Sequence, residues 1–402
     1  SGKHDIAIAG GLAATTVGMS ALSVDVLVEY SEWNRQFMDI FQNVGAIVLQ
    51  NKETITNDLI AANPDLANDA LKLNLEVGQK FLNMPEMKAQ FSDFIHKLTV
   101  DFPIVVAKYL ATAVTAFTAA QHLALRWRTW ITGKFTNEWL KDKAFYKLNH
   151  AYYHLDNPDQ RIQEDLDKLT DGVVSISTEG LESALKLGAF STLLYTSFGA
   201  FNPAIFGGPD VNVQGYLFWA ALTYAAVGTG ALAAIAHNLP KIFRKKQVAE
   251  GTFRAGLISA HNNSEQIALN NGEEREKEVL KDQFNDVVDI SKQYINKRKQ
   301  MMIFNSVHAN LGSIIPYIAA APLFFAGQVT LGQISQTAYA FGQVENSFSF
   351  VMNNIQFFAS MKANIDRLGT LLSAIRLSHY EKAEQSAAPS SDSPSPKPPN
   401  PA

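Results

Sequence analysis

Apolar residues in this chain are gathered into six runs of about twenty, with charged residues filling the gaps, and that clustering constrains the fold more than any other feature. A long helix buried in a soluble protein usually keeps a polar face. A helix crossing a hydrocarbon core of about 30 Å needs roughly 20 mostly apolar residues, with small and weakly polar ones tolerated where helices pack. The runs lie at about Ile6–Tyr30, Phe102–Leu125, Leu181–Phe201, Tyr216–Ile235, Met302–Phe325 and Leu331–Phe358. The first is the least apolar and holds Asp25; Lys108 interrupts the second. The third closes on Asn202-Pro203, and "AGQVTLG" joins the fifth to the sixth. A soluble bundle of unusually apolar helices is the alternative, since the mean hydropathy is close to zero.

Charge placement separates the two. Lys and Arg accumulate in the short cytoplasmic loops of membrane proteins and near span ends. Residues 126–180 carry Arg126, Arg128, Lys134, Lys141, Lys143, Lys147, Arg161 and Lys168, and residues 238–300 carry Lys241, Arg244, Lys245, Lys246 and more. The turns at 202–215 and 326–330 carry no Lys or Arg. This asymmetry places both large loops and both termini in the cytoplasm. The expected fold class is an all-α membrane protein of six transmembrane helices with long cytoplasmic helical extensions, occupying 1–380. An external insertion of amphipathic helices with Asn/Asp-Pro turns is expected at about 44–87. The Pro/Ser-rich stretch 381–402 reads as a disordered tail. No secretory cleavage pattern opens the chain, which begins almost directly with the first run, so native sequence is expected to precede it.

Several functions are excluded early. A net charge of -4, without a basic tract interleaved with aromatics, argues against nucleic acid as a partner. The absence of cysteine removes disulfides, thiolate catalysis and Cys-ligated metals. His150 and His154 in "HAYYH" stand i,i+4, but the H-E-x-x-H arrangement of a zinc hydrolase is missing, so no metal is expected. No nucleophile motif accompanies the Ser, His and Asp residues, and neither an enzymatic activity nor a cofactor is expected.

Between the second and third runs lies "DNPDQRIQEDL", whose local physics is a helix start. Asn157 suits an N-cap, Pro158 the first helical position and Gln160 the third position of a capping box; Glu164 and Asp165 favour the positive helix end.

Four segments, in order, resemble the SbmA/BacA family of peptide transporters and the related transmembrane halves of peroxisomal-type, subfamily D, ABC transporters. "EWNRQFMDIFQ", with Trp33, Asn34 and Arg35, is similar to the motif after the first span. "LRWRTWIT", then "WL" and "DNPDQRIQED", match the first-loop signature at Arg126, Trp127, Arg128, Trp139, Asp156, Asn157, Pro158, Asp159, Gln160 and Arg161. "EGTFRAGLISAHNNSEQIALNNGEERE", with Glu265, Gly272 and Glu273, is similar to the second-loop pattern. "GQVTLGQISQTAYAFGQVENSFSFVMNN" resembles the last turn and span.

The resemblance implies an ABC-exporter-like transmembrane domain. It further implies a homodimer in a bacterial inner membrane, with an alternating-access cavity importing antimicrobial peptides and other bulky substrates with protons. The chain departs from the family in its longer external segment. No G-x-x-x-x-G-K-[S/T] loop follows residue 375, so ATP hydrolysis is not expected of this chain itself. The second-loop motif is nearer to the ATP-coupled members. The alternative is therefore a membrane subunit of an ATP-driven transporter whose ATPase is a separate chain. Proton coupling requires carboxylates or histidines in water-filled, low-dielectric positions. The candidates are Glu182, Glu345, Asp25, Glu179 and His308. Asp25 and Glu179 have a plainer reading at wet interfaces, and His308 as an interhelical hydrogen-bonding residue. Lys108 is expected to pair with a carboxylate or face the cavity, and Arg126 and Arg128 to anchor span ends.

Overall fold

No proline precedes Pro64, so nothing in the first sixty residues removes a helical hydrogen bond. The computed structural model, which describes residues 2–150, 157–197, 200–201 and 212–387, accordingly begins with one unbroken helix, α1 (Gly2–Ala62). At 1.5 Å per residue α1 is roughly 90 Å long, about three times a hydrocarbon core. The expected insertion is thus in part a continuation of α1. After Asn63-Pro64 the chain makes a single 3-10 turn (Pro64–Asn68), then α2 (Ala70–Asn83) and α3 (Pro85–His96). Asp69 caps α2 by accepting from the Lys72 N–H at 3.0 Å. Val77, Phe81 and Met87 are buried against Val44, Ile47, Ile55 and Leu59, which holds the hairpin on α1.

A π-turn at Lys97–Asp101 leads into α4 (Phe102–Leu140), followed by α5 (Ala144–His150). Beyond the residues left undescribed come the short α6 (Pro158–Gln160), a π-turn at Arg161–Asp165 and α7 (Leu166–Ser197). A two-residue ribbon follows, with β1 (Ala200–Phe201) antiparallel to β2 (Val213–Gln214). The turn expected between them lies outside the described residues from Asn202 to Val211. The remainder is helical: α8 (Tyr216–Ala236), α9 (Leu239–Asn262), α10 (Ser264–Leu269), α11 (Glu273–Phe325), α12 (Leu331–Asn353) and α13 (Ile355–Ala387). Residues 381–387, assigned to the tail from sequence, belong to α13, because proline enters the chain again only at Pro389.

The α11–α12 turn shows how "AGQVTLG" stops one helix and starts the next. Gly327 adopts φ +67°, its N–H reaches Phe324 O and the Gln328 N–H reaches Leu323 O, both at 2.9 Å, which is a Schellman stop. Three residues later Thr330 and Gln333 exchange backbone-to-side-chain hydrogen bonds of 2.8 and 3.1 Å, a capping box that starts α12.

The described residues form two compact units. One draws on 2–20, 113–150, 157–180 and 355–387; its core joins Leu148 to Leu371, Ala374 and Ile375, with Trp139 and Ile162 against them. The other draws on 21–112 and 181–354. Its core is Phe190 of α7, Ala221 of α8, Ala320 of α11, and Ala340, Phe341 and Val344 of α12, all almost completely buried. Alanine at these contacts lets helix backbones approach closely, as in membrane bundles.

Among the described residues four helical stretches are long and apolar enough to cross a membrane: Asp5–Ala62, Pro85–Leu148, Tyr216–Asn262 and Glu273–Phe325. The third and sixth expected spans are helices, α7 and α12, but Glu179, Glu182 and Lys186 in one, and Gln333, Gln336, Gln343 and Glu345 in the other, dilute their apolar content. On α4, Leu110, Val114 and Phe117 project outward at four- and three-residue intervals, with Leu125 two turns further on, each more than half exposed. A stripe of that kind calls for an apolar environment.

Candidate functional site

Two of the five coupling candidates come together. His308 on α11 and Glu345 on α12 approach at 3.2 Å between Nδ1 and Oε1, with side chains 14% and 16% exposed. Tyr224 of α8 completes the cluster. Its ring stacks on the imidazole at 4.2 Å and an interplanar angle of 20°, and its hydroxyl donates to the His308 carbonyl at 2.5 Å. The imidazole fits because Gly228, one turn further along α8, has no side chain; a Cβ there would run into the ring. Gly312 gives the Tyr224 ring similar room on α11. An ionisable pair so placed is costly in an apolar interior unless each member satisfies the other. The cluster therefore ties three helices by a polar contact.

The remaining candidates separate from it. Glu182 pairs with Lys186 one turn along α7, at 2.6 Å, and is neutralised within its own helix. Glu179 and Asp25 are exposed, as a wet-interface position requires. Lys108 meets Glu29 at 2.6 Å, the carboxylate partner expected for it.

The segment "EWNRQFMDIFQ" acts as a clasp on the start of α12. Asp39 Oδ1 accepts from the Gly332 N–H at 2.9 Å and Gln42 Oε1 from the Leu331 N–H at 2.6 Å, so α1 supplies the acceptors that the first turn of α12 lacks. Asn34 donates to Ser335 Oγ at 2.8 Å, Gln336 donates to Glu32 at 3.2 Å, and Trp33 Nε1 donates to the Lys97 carbonyl at 3.1 Å. Arg35 bridges Glu32 and Asp39. Just past the end of the first apolar run, the Arg35 hydrogen bond holds the Glu32 carboxyl below its ordinary range, against a smaller opposing effect of burial. Residue 332 must be glycine, since a Cβ would strike the Arg35 carbonyl and the Asp39 carboxylate.

"DNPDQRIQED" forms a second junction, between α4, α7 and α13, although Asp156 and His154 lie outside the described residues. Asn157 precedes Pro158 at the helix start, but the side-chain cap expected of it is not made. Its backbone is left-handed (φ 47°, ψ 66°), where a capping residue is ordinarily extended. Gln160 likewise does not close a capping box; it donates to Glu164 at 2.8 Å. Lys168, and then Gln160, hold the Glu164 carboxyl below its ordinary range. Arg161 donates to the Arg367 carbonyl at 2.8 Å and to Thr370 at 3.2 Å, while Asp159 is exposed. Asp165, expected to serve the helix dipole, is buried and lies 3.0 Å from Arg367 Nε. The contact is an ion pair without hydrogen-bond alignment, since that carboxylate oxygen has no hydrogen-bonding partner among the described residues. Arg128 meets Asp167 at 2.8 Å, Arg126 meets Asp5 at 3.7 Å, and Trp127 packs on Ala120, Ala124 and Val174. The two arginines are thus held by carboxylates.

The second-loop motif closes a helical arm. Phe253 meets Phe284, and ten residues back along α9 and ten on along α11 Phe243 meets Tyr294, as an antiparallel pair requires. α10 crosses the arm's end, with Glu265 exposed in its first turn and Leu269 76% exposed. Asn271, not Gly272, takes the left-handed conformation that turns the chain (φ 47°), and Glu273 opens α11 at its positive end. Between α9, α10 and α11 lies an open groove of 630 Å³ floored by Phe253, Leu257, Ile267, Leu280 and Phe284 and rimmed by Glu273, Glu276 and Lys277.

Sequence reasoning missed Tyr224 and Gly228, whose only signal was the small-residue run "AAVGTGALAA" within an apolar helix. It also missed the roles of Asp39 and Gln42, which lay in a quoted motif but became significant only opposite α12.

Fold and site define a multi-pass helical membrane domain whose helices extend well beyond their apolar parts. Residues 42–325 match the family described as ABC transporter transmembrane region 2, and the chain belongs to that family. It is 28% identical to the inner membrane ABC transporter ATP-binding protein YddA of Escherichia coli, over 69% of this chain and 50% of that protein. An uncharacterized ABC transporter ATP-binding protein of Synechocystis is 32% identical over 68% of this chain and 38% of its own length. ABC transporter D family member 2, chloroplastic, of Arabidopsis thaliana is 30% identical over 61% and 33% respectively. The chain spans half or less of the length of these relatives.

Proposed function

We propose that this chain is the membrane-spanning part of an ATP-driven transporter of the ABC type, with six spans per subunit and two subunits around an alternating-access cavity. The ATPase lies either elsewhere on the same polypeptide or on a partner chain. Relatives named as ABC transporter ATP-binding proteins support ATP coupling over the proton-driven import implied by the SbmA/BacA resemblance. The observation that carries the reading is the apolar groove at the end of the α9–α11 arm. A 24-residue helix is roughly 36 Å long. An arm of that length, ending in exposed phenylalanine and leucine, suits a surface on which a nucleotide-binding domain docks. Bulky substrates such as peptides, a bacterial inner membrane and cytoplasmic termini are carried over from the resemblance and the charge asymmetry.

The His308–Glu345 pair favours one second reading, transport driven by protons. Reconstitution separates them. The protein purified with whatever ATPase accompanies it is placed in proteoliposomes, and uptake of a labelled peptide is followed with ATP or with a pH gradient alone. ATP-dependent uptake that is lost in Phe253→Asp/Phe284→Asp is expected. Gradient-driven uptake that ignores those substitutions would establish the second reading instead.

A further inference from the structure

The start of α9 and the middle of α11, away from the groove, carry cations that form no ion pair among the described residues. Elsewhere on these helices lysines are neutralised: Lys246 by Glu250 at 3.3 Å, Lys277 by Glu274 at 3.1 Å and Lys292 by Asp289 at 3.0 Å. Lys241, Arg244, Lys245, Lys297, Arg298 and Lys299 have no carboxylate within ion-pair distance among the described residues. The two groups are more than fifty residues apart in sequence, and the helix stretches that carry them approach at one ring. Lys246 Nζ lies 5.6 Å and Arg298 Cζ 5.8 Å from the centroid of Tyr294, whose ring is also 6.0 Å from that of Phe243. On α9, Lys241, Arg244 and Lys245 share one face at i, i+3, i+4, where like charges repel and weaken the helix. A cluster arranged against its own stability calls for an anion from outside the chain.

Its position indicates which anion. Lys241 follows the end of α8 at Ala236 by five residues, and Lys299 precedes the apolar run that starts at Met302 by three. Both groups thus stand within about two turns of where their helices become apolar. Along α11, Ile295, Arg298, Lys299 and Met302 recur at i, i+3, i+4, i+7 and occupy one face. Ile295 is 61% and Met302 72% exposed, so two cations are bracketed by uncovered aliphatic side chains. Free phosphate would satisfy the cations and leave the aliphatic groups in water. A phosphodiester attached to acyl chains satisfies both.

We propose that α9 and α11 together form a binding site for the headgroup of an anionic phospholipid at the membrane face from which the arm projects. Lys241, Arg244 and Lys245 on one helix and Arg298 and Lys299 on the other hold the phosphate, and Ile295 and Met302 lie along the acyl chains. Tyr294 keeps the two groups in register. The site is independent of how transport is energised.

The full chain is purified and equilibrated with mixed micelles of phosphatidylglycerol and phosphatidylcholine of matched acyl chains, and retained lipid is counted by native mass spectrometry. Phosphatidylglycerol should be retained preferentially. A basic residue near an anionic surface contributes roughly fivefold in affinity, so Arg298→Gln/Lys299→Gln should lower the retained ratio by about 25-fold. The exchange Arg298→Lys/Lys299→Arg should preserve it, as should Lys277→Gln/Lys281→Gln at the other end of α11. Equal retention of the two lipids, no response to charge removal, an equal loss in the distant variant, or displacement by inorganic phosphate would each overturn the proposal. All of these substitutions lie on exposed or half-exposed helix positions, and the readout involves no transport.

Discussion

Gly228 offers the sharpest test of the buried cluster, because the sign of the effect changes if the cluster is wrong. In a helix interior Gly→Ala ordinarily stabilises by about 1 kcal/mol through the entropy of the unfolded chain. Gly230, two residues along α8, has open space where its Cβ would go, and Gly230→Ala should show that ordinary gain. At Gly228 the new methyl meets the His308 imidazole. The ring has little freedom to retreat, with Tyr224 stacked at 4.2 Å and Glu345 holding Nδ1 at 3.2 Å. A displacement of roughly 1 Å breaks the contact with Glu345, since it carries the pair past the roughly 4 Å reach of an ion pair. The losses are a close, largely desolvated ion contact, about 2 kcal/mol, and overpacking of about 1–3 kcal/mol. Less the helical gain, Gly228→Ala should cost about 3 kcal/mol. Reversible unfolding in mixed micelles by titration with a denaturing detergent, followed by circular dichroism, measures it. The cost should fall by about 2 kcal/mol in a Glu345→Ala background, where the ring has no partner left to lose. If the two glycine variants behave alike, or if Gly228→Ala and Glu345→Ala are additive, the cluster does not act as a unit.

Arg367→Ala should strand the buried Asp165 carboxylate and cost about 3 kcal/mol; hydrogen exchange should rise first at the start of α7 and the facing turn of α13. Asp39→Ala removes the acceptor for the Gly332 N–H and should cost about 1–2 kcal/mol, as for loss of an N-cap, read as faster exchange of the first amides of α12. Glu32 predicts a pH effect. Its carboxyl is held below the ordinary value of 4.5, so its contribution is fully present above that value and is lost as the pH falls through the lowered folded-state value. Glu32→Gln should flatten the acid limb of the unfolding midpoint plotted against pH and leave the neutral region without slope.

Much of the architecture was legible because hydrophobic periodicity and proline placement act locally. The runs that became α1, α4, α8 and α11 announced themselves, and Asn63-Pro64 and "AGQVTLG" marked their stops through backbone chemistry that needs no partner. The third and sixth runs read as apolar only by discounting their charges. Structure supplies the two reasons the charges are tolerated: Lys186 neutralises Glu182 from within α7, whereas Glu345 depends on a residue of another helix. The first arrangement follows from i,i+4 spacing and the second does not follow from spacing at all. The same limit governs "DNPDQRIQEDL". Its composition correctly placed a helix start, but the cap failed because Asn157 took a left-handed backbone, and Asp165 proved to be a buried partner of a residue some two hundred positions away. Local rules located these groups; long-range pairing decided what they do.

Pairing of that kind also bears on how motion would travel through the second unit. From Glu273 to Gly312 α11 contains no proline, so displacement of the groove end is carried along a stiff rod to His308, which lies 24 residues, or roughly 36 Å, beyond Phe284. The rod loses a backbone hydrogen bond first at Pro316, two turns past His308, and again at Pro322. The softest part of the helix therefore begins just beyond the point at which the His308–Glu345–Tyr224 cluster fixes it to α8 and α12. With the cluster intact, α8, α11 and α12 would move as one body and bend together above it. With the pair broken, α11 could turn alone. The His308–Glu345 contact would then act as a clutch on the movement of α11 against α8 and α12.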